Sequence, residues 1–192
     1  LGVAGMIGLW GIGFYSPELV RSALANETQE VKDFVASFGT ALQDVGAFCG
    51  MIVFTIIATY IGRRLAFLTS FILSLFVVSF VFFFLKSASD AYWMLPILGF
   101  ATLMPFGGYS IYFPELYPTR LRGVGIGFCY NVGRYITAPA PYLIGYLTTF
   151  LMDQGIDQPF RMAAVMMTSI YLVGMIALIW APETKGQPLP EE

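Results

Sequence analysis

Two ionisable side chains fall where their surroundings make ionisation expensive. Asp44 stands beside Gln43 in an apolar segment of about 38–61. Arg134 stands near the middle of another, about 121–147, with Asn131 one helical turn earlier on the same face. A charged side chain at bilayer depth costs about 2.5–3.5 kcal/mol or more, so such residues face protein or water and mark a site. The chemistry open to them is charge recognition and proton transfer. In one reading Arg134 receives an anionic substrate group and Asp44 carries a coupling proton; in the other the two neutralise each other and fix packing. Asp44 lies roughly five residues outward of its segment's centre, about 7–8 Å at 1.5 Å per residue, which an arginine can largely cover. Pairing is therefore open. Trp10, Tyr15, Tyr109, Tyr130 and Tyr135 lie on the same or neighbouring segments and are candidates to line one cavity with them.

Much other chemistry is excluded. The chain has no histidine, which removes a His–Glu zinc site, a His-ligated haem and a Ser–His dyad. No catalytic residue, metal site or cofactor is expected. A net charge of −2 provides no basic field for nucleic acid. Cys49 and Cys129 both sit in apolar runs and read as packing residues.

The elements that must position these residues are membrane helices. Of 192 residues, 57% are hydrophobic and 11% charged, against about 25% charged in soluble domains. A spanning helix needs roughly 20 mostly apolar residues. Six stretches qualify, at about 1–20, 38–61, 65–85, 91–113, 121–147 and 160–180. They are too long for strands and lack the alternation of a membrane barrel. The expected fold is an all-α bundle of six transmembrane helices. Glycines at close-packing spacing (Gly2, Gly5, Gly8, Gly11; Gly46, Gly50; Gly123, Gly127) suit helices that approach closely. Pro17, Pro105, Pro139 and Pro141 should break or bend three of the helices. Trp93 and Trp180 fit an interfacial belt. Glu18 and Arg21, spaced i,i+3, read as a surface pair.

With six spans, the loops holding Arg63, Arg64, Arg120 and Arg122 share one side with the C-terminal tail and Lys185. Arg21, Lys32, Lys86 and Arg161 fall on the other, where the stretch 21–37 is the longest loop. Four arginines in two tight loops place the first side, and the C-terminus, in the cytoplasm.

Those loops carry a resemblance. Pro114-Glu115-Leu116-Tyr117-Pro118-Thr119-Arg120-Leu121-Arg122-Gly123 resembles the Glu-x-x-Pro-x-x-x-Arg-Gly loop that follows the tenth helix in the major facilitator superfamily. Gly62-Arg63-Arg64 resembles the end of its Asp-Arg-x-Gly-Arg-Arg loop, with Thr59 and Tyr60 where the fuller motif has Asp and Arg. Pro182-Glu183-Thr184-Lys185-Gly186 is similar to the signature after helix twelve of sugar-porter-like members. Tyr15-Ser16-Pro17 matches their seventh helix, without the paired glutamines before it. The resemblance implies the C-terminal half of a carrier, helices seven to twelve, with the N-terminal six-helix half outside this sequence. It implies secondary transport of a small organic solute (organic acid, aromatic compound or sugar) by alternating access. A proton is the expected coupling ion and the plasma (inner) membrane the expected location. It also implies a cytoplasmic charge network of Arg63, Arg64, Glu115, Arg122 and Glu183.

Two competing classes have their own signatures. A self-sufficient channel should show a filter-like loop or charge ring, and an intramembrane enzyme a nucleophile, base or metal cluster. Neither signature stands out in the sequence.

Overall fold

Apolar runs without strand alternation become helices, and the computed structural model, which describes residues 1–190, is helical over most of each of the six segments. Its α-helices are α1 (Gly2–Met6), α2 (Ser16–Ala23), α3 (Gln29–Ile61), α4 (Arg63–Phe84), α5 (Ala88–Leu116), α6 (Arg122–Thr137), α7 (Ala140–Asp153), α8 (Pro159–Met167) and α9 (Ile170–Ala177). Five stretches are long and apolar enough to cross a membrane: Gly2–Ala23, Gln29–Ile61, Arg63–Phe84, Ala88–Leu116 and Pro159–Ala177. The rod formed by α6 and α7 is not among them. It carries Asn131 and Arg134, and it is interrupted at Ala138–Pro139.

Helix α3 starts nine residues before the apolar segment does, so the expected long loop at 21–37 shrinks to a short turn. The polar first turns of α3 make a helix that projects past the apolar slab, which hydropathy alone does not register. Arg21 accordingly pairs with Asp33 on α3, with Nε 3.0 Å from Oδ1, and not with Glu18. Both side chains are about half exposed, so the pair contributes little.

The tightest packing joins α3 to α5. A Cβ on Gly46 would strike the Pro96 backbone, one on Gly50 the Phe100 carbonyl, and one on Gly99 the Gln43 carbonyl. Gly123 and Gly127, by contrast, face open space and pack against nothing within the chain.

The prolines act unequally. Helix α5 runs unbroken through Pro96, Pro105 and Pro114. Pro105 cannot donate to the Ala101 carbonyl, but Ser74 Oγ on α4 does so at 2.7 Å, so no polar group is stranded and no break is needed. Between α6 and α7 the helix does break, immediately before Pro139. The first span is broken more severely. Residues Ile7–Ile12 form a π-helix and Gly13–Tyr15 a 3₁₀ turn before α2 resumes, with Pro17 in its first turn. The widened turns fall where Gly8 lies against Tyr171 and Gly11 against Ala140 and Met167. Such bulges insert residues into a helix and re-aim the turns beyond them.

Candidate functional site

The break in the first span is held by α3. Gln43 is buried; its Oε1 accepts from Ser16 Oγ at 2.6 Å and its Nε2 donates to the Gly13 carbonyl at 3.4 Å. The disrupted ladder leaves carbonyls without their usual donors, and a side-chain amide is suited to meet one while taking a hydroxyl proton with its other end. Gln43, a candidate for substrate contact, is therefore engaged in bracing the helix. Ser16, noted in the sequence only as part of Tyr15-Ser16-Pro17 and not as a site residue, is its partner.

Around this brace lies a cavity of about 580 Å³ lined by Trp10, Tyr15, Ser16, Glu18, Arg21, Gln43 and Asp44 among others. Thus Trp10, Tyr15, Gln43 and Asp44 line one cavity. Asp44 is exposed at its edge, and Tyr15 Oη reaches the Pro141 carbonyl at 3.5 Å. The other candidates stand apart. Tyr109 is fully buried inside the bundle, donating to the Leu1 carbonyl at 2.9 Å and stacked on Phe113 with ring centroids 5.1 Å apart. It is a core residue here, because its ring fills the space left by Gly5. Tyr130 is half-buried, with its edge toward Phe113 at 5.5 Å. Asn131, Arg134 and Tyr135 are all exposed on α6.

Asp44 and Arg134 do not pair. The ion pairs among the described residues are Arg21–Asp33 and Arg63–Glu115. Arg134 thus presents a guanidinium from the middle of an apolar rod without a carboxylate paired to it among the described residues.

The charged loops behave differently. Arg63 forks onto Glu115, with Nε 3.0 Å from Oε2 and Nη2 2.6 Å from Oε1, while its Nη1 donates to the Ala58 carbonyl at 3.1 Å. Thr184 Oγ1 donates to Glu115 Oε2 at 2.5 Å. Glu183 receives the backbone N–H groups of Arg63 and Arg64 at 2.9 and 3.0 Å. Its two oxygens close on the start of α4 just past Gly62, whose φ of 95° only glycine adopts easily. Burial pushes the Glu183 carboxyl up, but the N–H groups of Arg63, Lys185, Arg64 and Thr184 outweigh it and hold it below the usual carboxylate range. Lys185 Nζ donates to the Tyr60 carbonyl at 2.7 Å, and Tyr112 Oη to the Pro182 carbonyl at 2.7 Å.

Of the five residues expected in this network, Arg63, Glu115 and Glu183 join through side chains and Arg64 through its backbone. Arg122 does not join; its guanidinium donates to the Pro114 carbonyl at 3.1 Å and to Thr119 Oγ1 at 3.3 Å, closing the loop on itself. Thr184, Lys185 and Tyr112 were not anticipated, although the first two lie within the Pro-Glu-Thr-Lys-Gly signature.

The site thus sits in a bundle of apolar helices whose charged motif loops are tied together at one end. A family model described as "Sugar (and other) transporter" matches residues 6–191. The chain belongs to this family of major facilitator transporters. It is 29% identical over 182 residues to a cis,cis-muconate transport protein of Acinetobacter baylyi, covering 94% of this chain and 41% of that one. It is 27% identical over 181 residues to a probable 4-methylmuconolactone transporter of Cupriavidus pinatubonensis, covering 93% and 39%. Human organic cation/carnitine transporter 2 is 27% identical over 163 residues, covering 82% and 26%. The chain spans about two fifths of the length of the first two relatives, 41% and 39%.

Proposed function

We propose that this chain is the C-terminal half of a secondary carrier that moves a small organic acid across a membrane by alternating access, coupled to a proton. The observation that carries the substrate class is Arg134, a cation exposed on α6 with Asn131 one turn away and no carboxylate paired with it among the described residues. A guanidinium fork binds a carboxylate through two parallel hydrogen bonds, and the surrounding low dielectric strengthens the contact. The names of two relatives, for muconate and a muconolactone, agree with a small organic acid or its lactone. Asp44, at the edge of the cavity braced by Gln43, is the proton carrier in this reading.

The missing wall of the cavity is an N-terminal six-helix half, against which this bundle rocks. The end holding Arg63, Arg64, Arg120, Arg122 and the tail is cytoplasmic by its clustered positive charge, in the inner membrane of a bacterial cell. There the Arg63–Glu115–Glu183 network holds the loops in a fixed arrangement as one side of an interdomain latch.

Uptake by the full-length protein of a panel of mono- and dicarboxylic acids, sugars and organic cations, with and without a pH gradient, tests this reading. Carboxylate uptake driven by an inward proton gradient and lost in Arg134→Ala supports it. Uptake of neutral sugars unaffected by Arg134→Ala overturns the substrate class, and uptake indifferent to pH overturns the coupling.

A further inference from the structure

At the end of the bundle away from the charged loops lies a second cavity with no part in this transport scheme. It measures about 460 Å³ and is lined by Ser22, Ala23, Lys86, Gln158, Pro159, Phe160 and Arg161. A smaller one of about 220 Å³ adjoins it through Lys86, Gln158 and Arg161 and adds Phe83, Met162 and Asp157. Arg161 is only 8% exposed. Its Nη1 donates to the Phe82 and Phe83 carbonyls at 3.1 and 3.5 Å, at the C-terminal end of α4. Those carbonyls use one of the three guanidinium nitrogens and leave the other donors toward the cavity. Neither Lys86 nor Arg161 forms an ion pair among the described residues. With Asp157 the one carboxylate lining either space, the balance there is positive.

The surroundings are those of a membrane–water boundary. Trp93, at the same end on α5, is 46% exposed and lies beside Phe80. Below the two cations, Phe80, Phe83, Phe84 and Met166 expose apolar side chains along α4 and α8. Interfacial tryptophan marks headgroup depth, and exposed apolar side chains beneath it mark the acyl region. A nearly buried cation, a free cation above it and an apolar strip below match an amphiphile with an anionic head.

We propose that Lys86 and Arg161 bind the phosphate of a phospholipid headgroup in this cavity, with the acyl chains lying along Phe83 and Met162. Asp157 opposes the phosphate and sets the upper limit of affinity.

The test is native mass spectrometry of the full-length protein in detergent, titrated separately with phosphatidylglycerol, diacylglycerol and inorganic phosphate. Retained phosphatidylglycerol with no retained diacylglycerol or phosphate is expected. Lys86→Gln should lower retention about fivefold, the worth of one cation near an anionic surface. Lys86→Arg should restore it, and Asp157→Asn should raise it. Lys86 is an exposed loop residue, so these variants leave the fold intact. Equal retention of diacylglycerol, or equal retention by Lys86→Gln and wild type, overturns the site. Retention of inorganic phosphate alone, without acyl chains, reassigns it to a soluble anion and overturns the lipid. None of these readouts involves transport, so failure here leaves the carrier proposal standing.

Discussion

The two charged regions of this bundle follow opposite rules. At the loop end, Arg63, Glu115, Glu183, Thr184 and the backbone N–H of Lys185 satisfy one another through short hydrogen bonds within the chain. In mid-helix, Asp44 and Arg134 carry charges of opposite sign and leave them unpaired on exposed faces. Both arrangements put charge in or near an apolar slab, where an ionised group without a partner is costly. A charge that has found its partner inside the chain works on the position of that chain. A charge left open is available to something arriving from outside the chain.

The sharpest way to break this contrast is at its open side. Arg134→Ala should lower carboxylate uptake by about tenfold to a hundredfold, the worth of a hydrogen bond to a charged group. Stability of the purified protein should be unchanged, since no side-chain partner is lost; a large fall in melting temperature would mean that Arg134 is structural after all. Glu115→Gln probes the closed side. It leaves the Arg63 guanidinium beside a neutral amide and should weaken the loop arrangement by about 1–2 kcal/mol, between the values for exposed and buried pairs. Cysteine probes on the two faces of the full-length protein should then report more inward-facing molecules; unchanged labelling would remove the latch.

Gln43→Leu lies between the two regions. It strips Ser16 and Gly13 of their partner and should cost about 1–3 kcal/mol, read as a lower melting temperature with little change in substrate selectivity. A specific loss of binding with unchanged stability would return Gln43 to the substrate site. The smallest effect concerns pH. Because Glu183's carboxyl is held below its usual range in the folded protein, the contribution of its contacts is complete at neutral pH and disappears as pH falls through that lowered value. A spin label on the tail should stay ordered down through the ordinary carboxylate range and loosen only in stronger acid. In Glu183→Gln it should already be loose at neutral pH.

The loop region was the more legible of the two. Motif residues such as Glu115 and Glu183 declare themselves by type and spacing, and their partners are arginines in loops too short to place them elsewhere. The helical class and the order of the apolar segments came from apolar length, because the bilayer fixes that length; of the six segments expected, five are long and apolar enough to span. What escaped depended on neighbours far away in sequence. Pro105 signals a break, yet α5 stays intact because a serine on α4 supplies the missing donor. Nothing in Ile7–Ile12 announces a π-helix; it lies where Gly8 and Gly11 approach Tyr171 and Ala140 from the far end of the chain. Tyr109 carries the polar tip expected of a cavity residue, and only packing against Gly5 and Phe113 assigns it to the core. The start of α3 at Gln29 was hidden for a simpler reason: a helix that leaves the apolar slab stops looking like a membrane segment without ceasing to be a helix.

The contact of Glu183 with the first amides of α4 also sets an order of events. Helix starts ordinarily receive their caps from the residue just before them, but this one receives its carboxylate from about 120 residues downstream. Every later span must be made and inserted before that carboxylate exists. A nascent bundle therefore carries an open junction between α3 and α4 until its last loop has emerged, and a chain stopped at Pro182 would keep it open permanently. The tail thus serves as a seal on completion, distinguishing a finished bundle from a truncated one by whether two amide protons at Arg63 and Arg64 exchange freely with water.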